Sequence, residues 1–97
     1  MQINRTPKYE AELLNILKTI AKDKIGASKK FQQELDRKVD DLINFPFKFR
    51  QSFYFDDKNI RDMVFKGYTI VYEVDFDKES IDILNIFNRN NPYDNWI

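Results

Sequence analysis

The spacing of apolar residues changes once along the chain, close to Pro46, and this change limits the folds that are available. Before Pro46, apolar residues recur every three or four positions, which is typical of helices with one buried face. After Pro46 they alternate with polar residues, which is typical of strands. The chain is therefore expected to place a helical half before a β-sheet half.

Two helices are predicted in the first half. Thr6-Pro7 is a helix start signal, because Thr caps free N–H groups and Pro suits the first helical position. The first helix is expected to end near Asp23, with Gly26 available for a left-handed cap. The second helix is expected from about Ala27 or Ser28 until Pro46. Since the connection is short, the helices should form an antiparallel hairpin.

Strands are predicted at both ends of the chain. Residues 1–5 form a brief strand or an extended lead-in. Alternating segments at 49–55, 60–65, 68–75 and 81–87 are strand candidates, and the short turns between them favour an antiparallel meander. In the last segment, Ile81, Ile83 and Phe87 are expected on one face and Leu84 and Ile86 on the other. We summarise the order as β-α-α-β-β-β.

This order predicts an α+β fold in one domain that spans residues 1–97. The helical hairpin should cover one face of an antiparallel-rich sheet, because each helix has a single apolar stripe. The other face should carry four acidic residues if the alternation holds: Asp62, Glu73, Asp75 and Asp82.

Composition excludes several kinds of chemistry. The chain has no Cys and no His, so thiolate zinc sites, disulfides, Cys nucleophiles and His bases are ruled out. No Gly-rich phosphate loop, metal-ligand spacing or nucleophile motif is present, and we expect neither a cofactor nor a bound metal. No apolar run is long enough to span a membrane, and no signal peptide is recognisable. We therefore expect a cytoplasmic protein without a membrane partner.

The formal net charge of zero results from two opposite halves. Residues 1–48 carry ten Lys and Arg against seven Asp and Glu, whereas residues 49–97 carry six against nine. A general nucleic-acid binder needs a basic excess to contact phosphates. The balance of charge therefore argues against that class of function.

Basic and aromatic residues of the second half are the remaining candidates for chemistry, since Arg or Lys stabilises phosphate charge and Tyr stacks on bases or moves protons. For most of them, core packing or cross-strand pairing is the simpler interpretation. Arg89 is the exception, because it follows a strand and lies near Tyr93.

The segment from Asn59 to Asp75, followed by Ile81 to Asn88, resembles the RelE/ParE toxin superfamily. Within it, Arg61 precedes the block Lys66-Gly67-Tyr68-Thr69-Ile70-Val71-Tyr72. Phe45-Pro46, Arg50-Gln51-Ser52 and the leading β-α-α order also look like that family. The resemblance implies the toxin of a bacterial type II toxin–antitoxin system, which inhibits growth and is neutralised by a cognate antitoxin.

The resemblance leaves the cellular target open between DNA gyrase, as in ParE-like members, and mRNA on the ribosome, as in RelE-like endonucleases. Only the second mode is enzymatic, and it would make Arg61, Arg89 and Tyr93 the catalytic residues. Thr69 stands where the nucleases have an Arg, and the half that would hold the cleft is acidic. Both features favour gyrase. A third hypothesis is that the protein is a non-toxic protein-interaction module with the same fold.

Nine Phe among 97 residues are more than a small core is expected to bury. Exposed apolar surface usually marks a binding site, and an amphipathic segment of the antitoxin is the natural occupant. The residues expected to be exposed are Phe47, Phe49, Phe76 and Trp96. The alternative, that these side chains pack locally and anchor loops, is equally favoured by the sequence.

Overall fold

The structure is a computed structural model that describes residues 1–88. A short strand, β1 (Gln2–Arg5), is followed by helices α1 (Pro7–Asp23) and α2 (Ile25–Asp40) and by a 3₁₀ turn at Asp41–Ile43. Three strands complete the fold: β2 (Ile60–Phe65), β3 (Tyr68–Asp75) and β4 (Ser80–Asn88). This order confirms the predicted α+β class and shows that residues 2–5 form a strand.

The four strands lie in the order β1-β4-β3-β2. β2, β3 and β4 form an antiparallel meander, whereas β1 pairs in parallel with β4. Lys66 and Gly67 connect β2 to β3 with positive φ angles of 49° and 85°. Such angles match the twist of a two-residue hairpin, which explains the Gly at this turn.

The helical hairpin turns at one residue. Lys24 is extended (φ −148°, ψ 115°) and donates its backbone N–H to Ile20 O, so α1 ends at Asp23 and α2 begins at Ile25. Ser28 Oγ then donates to Leu17 O over 2.8 Å and joins the helices. The prediction that Gly26 caps α1 is wrong, because Gly26 lies inside the first turn of α2.

The main core lies between the hairpin and one face of the sheet. Its fully buried side chains include Tyr9, Leu35 and Val39 from the helical half and Ile70, Tyr72 and Ile83 from the sheet. The predicted contact of the hairpin with a single sheet face is therefore confirmed. No helix within residues 1–88 is long and apolar enough to cross a membrane.

A register shift between β3 and β4 changes which residues of β4 face the helices. The shift lies at Val71/Tyr72, where β4 contains an additional residue. Ile81, Ile83 and Ile86 consequently belong to the main core, whereas Leu84 and Phe87 pack with Val71 on the other face. The predicted faces of Ile86 and Phe87 are thus wrong, because strict alternation does not hold across a bulge.

Residues 49–55 do not form a strand, contrary to the alternation of their apolar residues. Gln51 makes one isolated antiparallel bridge to Arg61, and the chain then bends away from β2. Tyr54 and Phe55 pack against Ile60, Val71 and Phe87 on the second sheet face. The alternation therefore reflects a loop with two sides rather than a paired strand.

The second sheet face carries the four acidic residues that the alternation predicts, but two of them are buried. Asp62 lies opposite Val71, and Glu73 lies opposite Asp82. Asp62 is 2% exposed and Asp82 is 6% exposed. Asp82 accepts hydrogen bonds from Asn4 and Ser80. Part of this face is therefore a second small core rather than a solvated acidic surface.

Thr6 joins β1, α1 and β4. Its Oγ1 accepts from Tyr9 N at the start of α1 and donates to Ile83 O over 2.6 Å. We expect Thr6→Ala to lower the free energy of unfolding by about 1–2 kcal/mol, since it removes a helix cap and a strand contact. Urea denaturation measures this change.

Thr19→Ala is the matched control, because Thr19 Oγ1 bonds only to the exposed Asn15 O of its own helix. We expect that variant to change stability by less than about 0.5 kcal/mol. Equal effects of the two substitutions would contradict the role given to Thr6.

Candidate functional site

The most distinctive surface is formed by residues 44–55, the first part of the connection between the 3₁₀ turn and β2, which we call the aromatic loop. This loop contains no Asp or Glu. It contains six aromatic residues and two cations: Phe45, Phe47, Phe49, Phe53, Tyr54, Phe55, Lys48 and Arg50. Such composition is unusual in a connection, which is normally polar.

Tyr72 of β3 anchors the start of the aromatic loop. Its ring is fully buried in the main core, and its hydroxyl donates to Pro46 O over 2.7 Å. Burial raises the pKa of Tyr72 to about 12, so the donating, protonated form persists well above neutral pH. The loop is thus tied to the centre of the fold.

Arg61 of β2 anchors the middle of the aromatic loop. Its Nε donates to Lys58 O over 2.8 Å, and its Nη1 donates to Phe49 O over 3.2 Å. Its guanidinium carbon also lies 4.7 Å from the centre of the Phe47 ring. The candidate residue Arg61 therefore binds backbone carbonyls and an aromatic ring on the face of the sheet that carries Tyr72.

Asp62, the next residue of β2, holds the end of the aromatic loop. Its Oδ2 accepts from Phe53 N over 3.1 Å and from Arg50 Nη2 over 3.5 Å. The backbone adds two further bonds, Ser52 N to Ile60 O and Asp62 N to Arg50 O. The Asp62 side chain is completely buried, so a buried carboxylate and two backbone bonds fix the position of this segment.

Although the loop is firmly anchored, several of its aromatic rings are exposed. Phe45 is 66% exposed and Phe53 is 75% exposed, while Phe47 is 40% exposed. Phe76, in the turn between β3 and β4, is 60% exposed and lies 5.8 Å from the Phe47 ring. A groove of about 590 Å³ is lined by residues 44–48.

The predicted exposure of Phe47 and Phe76 is confirmed, whereas Phe49 is partly buried and follows the alternative of local packing. Phe49 packs against the main core, and Arg61 binds its carbonyl. The prediction for Trp96 lies outside the described residues. The sequence reasoning missed Phe45 and Phe53. The acid-free run of aromatic residues was the available signal for them.

Cations lie over the aromatic rings of this surface. The Arg50 guanidinium is 3.9 Å from the Phe53 ring centre, and Lys48 Nζ is 5.4 Å from that of Phe49. Such contacts stabilise a cation on an apolar surface while leaving N–H groups directed outward. The aromatic loop therefore combines apolar rings with positive charge.

An acidic groove of about 320 Å³ lies beside Phe76 and is lined partly by Glu73, Asp75 and Asp77. Burial, together with Asp57 and Asp75, raises the pKa of Glu73 above its usual range. The acidic groove thus adjoins Phe76, while the cations lie over rings of the aromatic loop. Within residues 1–88, no three acidic side chains are arranged to hold a metal ion.

Of the three residues expected to form a catalytic group, the described part of the chain contains Arg61. Arg61 lies near the start of β2, while Arg89 and Tyr93 lie outside residues 1–88. Lys66, at the far end of β2, pairs with Glu34 of α2 and lowers the pKa of that carboxylate by hydrogen bonding. Lys66 therefore does not add to the charge around Arg61, which lies roughly 16 Å away along the strand.

Comparisons with known proteins give one family model and a similar fold. Residues 3–93 match the family model described as ParE toxin of type II toxin-antitoxin system, parDE. The fold is similar to a solved structure of the chromosomal ParDE TA system from P. aeruginosa, with a TM-score of 0.73 and 18% sequence identity. That match covers 91% of this chain and 95% of the other. No curated protein matches the sequence.

The two buried tyrosines predict a pH dependence of stability. Burial raises the pKa of both Tyr9 and Tyr72 from 10.0 to about 12. Because the folded pKa exceeds the unfolded pKa, their contribution is complete below pH 10 and is lost as the pH rises towards 12. We expect stability to fall by up to about 1.4 kcal/mol per pH unit for each tyrosine in this window.

Urea denaturation at increasing pH measures that loss, and the absorbance of the phenolate reports titration. Tyr72→Phe should remove about half of the decrease in unfolding free energy per pH unit between pH 10 and pH 12. Tyrosines that all ionise with ordinary pKa values in the native protein would contradict the burial argument.

The anchoring by Asp62 is tested by Asp62→Ala. We expect faster hydrogen exchange at Phe53 N and a loss of about 1–3 kcal/mol in the free energy of unfolding, because a buried charged acceptor is removed. Asp56→Ala changes an exposed acid nearby and serves as the control. Unchanged exchange at Phe53 in Asp62→Ala would show that other contacts hold the loop.

Proposed function

The chain belongs to the ParE toxin family of type II toxin–antitoxin systems, and we propose from this that it arrests bacterial growth when it is free. In this proposal a cognate antitoxin binds the toxin and keeps it inactive. The match of the family model to residues 3–93 is the observation that carries the proposal. The fold shared with the ParDE structure is consistent with it.

We further propose DNA gyrase as the target and the cytoplasm as the place of action. Two observations support a mode without RNA cleavage. Two donors of Arg61 bind backbone carbonyls, so this residue stabilises the aromatic loop rather than presenting its full charge to a phosphate. Thr69, at the position of the nucleases' Arg, is fully buried between Val64 and Phe87.

The alternative function, cleavage of mRNA, assigns catalytic roles to a defined set of residues. If the protein cleaved mRNA on the ribosome, then Arg61, Arg89 and Tyr93 would carry the reaction. The acidic residues around Phe76 would oppose the approach of the protein to ribosomal RNA. We therefore propose this mode only as the alternative outcome of the experiment below.

Inducible expression in a bacterial host tests the toxin proposal. We expect growth arrest on induction, and recovery when the small gene adjacent to the toxin gene is expressed as well. With gyrase as target, a DNA-damage reporter should also respond. Unimpaired growth at high expression of folded protein would contradict the toxin assignment.

Primer extension on cellular messages separates the two targets. We expect no new 5′ ends after induction, and we expect Arg89→Ala to leave the pattern of message ends unchanged. New cleavage ends that disappear in Arg89→Ala would instead establish the RNA-cleaving alternative.

A further inference from the structure

We propose that the exposed face of the aromatic loop, together with Phe76, binds a segment of the antitoxin that carries large apolar side chains and carboxylates. This inference rests on the proposed function, because it assumes that a cognate antitoxin exists. It assigns the partner's contact surface to three exposed rings: Phe45 and Phe47, which line one groove, and Phe76, whose ring contacts that of Phe47.

The exposure of these rings is imposed by the fold. Contacts from Tyr72, Arg61 and Asp62 hold the backbone of the aromatic loop against β2 and β3. With the backbone held in this way, the Phe45 side chain is 66% exposed and that of Phe47 is 40% exposed. A preformed surface of this kind loses little conformational freedom when a partner binds.

The charge around the rings selects the partner's chemistry. Lys48 lines the groove with Phe45 and Phe47, Arg61 lies over the Phe47 ring, and the aromatic loop contains no acid. A partner segment with carboxylates beside its apolar side chains complements this arrangement. Next to Phe76, the groove with Glu73, Asp75 and Asp77 would accept a basic residue of the same segment.

The apolar character of the surface favours a lasting partner. Permanent interfaces are more hydrophobic than transient ones, and exposed apolar patches reduce the solubility of a free protein. The antitoxin is the partner that covers a toxin for most of its lifetime, whereas the target meets only the free toxin. Nucleic acid is disfavoured because the acidic groove adjoins the rings.

The experiment measures the affinity of the purified protein for the antitoxin encoded by the adjacent gene, using isothermal titration calorimetry. Phe45→Ser and Phe76→Ser each remove one exposed ring from a different segment, and Lys48→Glu reverses one exposed charge. We expect each Phe variant to bind about tenfold or more weakly, as at interface hot spots. We expect Lys48→Glu to weaken binding in a salt-dependent way.

Ile25→Ser is the matched control, since Ile25 is 67% exposed on α2 and lies outside this surface. It should bind like the wild type. Urea denaturation should give all four variants wild-type stability, because exposed rings contribute little to the core.

Unchanged affinity in both Phe variants would overturn the inference. So would variants that lose toxicity but retain full affinity for the antitoxin, because the surface would then serve the target. Binding of a labelled single-stranded RNA that depends on Phe45 would assign the surface to nucleic acid and would also overturn it.

The proposed toxin activity and the proposed contact surface can be contradicted separately. A wild-type protein that binds the antitoxin but does not arrest growth would contradict the toxin activity, while the affinity ratios between variants would still decide the contact surface.

Discussion

The buried carboxylate of Asp62 is the interaction on which the functional surface depends. It accepts from Phe53 N and Arg50 at the edge of the sheet, where β2 would otherwise present unpaired backbone groups. The neighbouring Arg61 and Tyr72 bind the carbonyls of Phe49 and Pro46. Three side chains of two adjacent strands thus make the twelve-residue aromatic loop a fixed part of the structure.

This arrangement separates two tasks within a small protein. Tyr54 and Phe55 turn inward and complete the second core, while Phe45 and Phe53 turn outward. The protein therefore keeps apolar area on its surface that folding alone would bury. Leaving a buried polar group without a hydrogen-bond partner costs free energy. The side chains of Asp62, Arg61 and Tyr72 therefore stabilise the folded structure through their hydrogen bonds to the aromatic loop. For Arg61 in particular, its contacts explain its place in β2 without a catalytic role.

Much of the fold follows from periodicity in the sequence. Helical spacing identified α1 and α2, and alternation identified β2, β3 and β4. The face of Phe87 was not predictable, because the bulge at Val71/Tyr72 arises from pairing with β3 rather than from local sequence. The strand prediction for residues 49–55 was also wrong, because alternation is found in any segment with two different sides. The bond from Phe53 N to the buried Asp62 side chain is not visible in this alternation.

The candidate site was less predictable than the fold. Family resemblance directed attention to Arg61, Arg89 and Tyr93, two of which lie outside the described residues. The exposed surface was only partly foreseen, because the exposure of Phe47 and the partial burial of Phe49 depend on contacts with Phe76 and Arg61, which are formed only in the folded chain. A count of aromatic residues indicates that some must be exposed, but only the tertiary structure distinguishes them.

The most direct test is an experimental structure of the protein bound to its antitoxin. We expect apolar antitoxin side chains over Phe45, Phe47 and Phe76, carboxylates beside Lys48 or Arg61, and an aromatic loop whose backbone keeps the position it has here. An antitoxin that binds elsewhere and leaves these rings exposed to solvent would contradict the account.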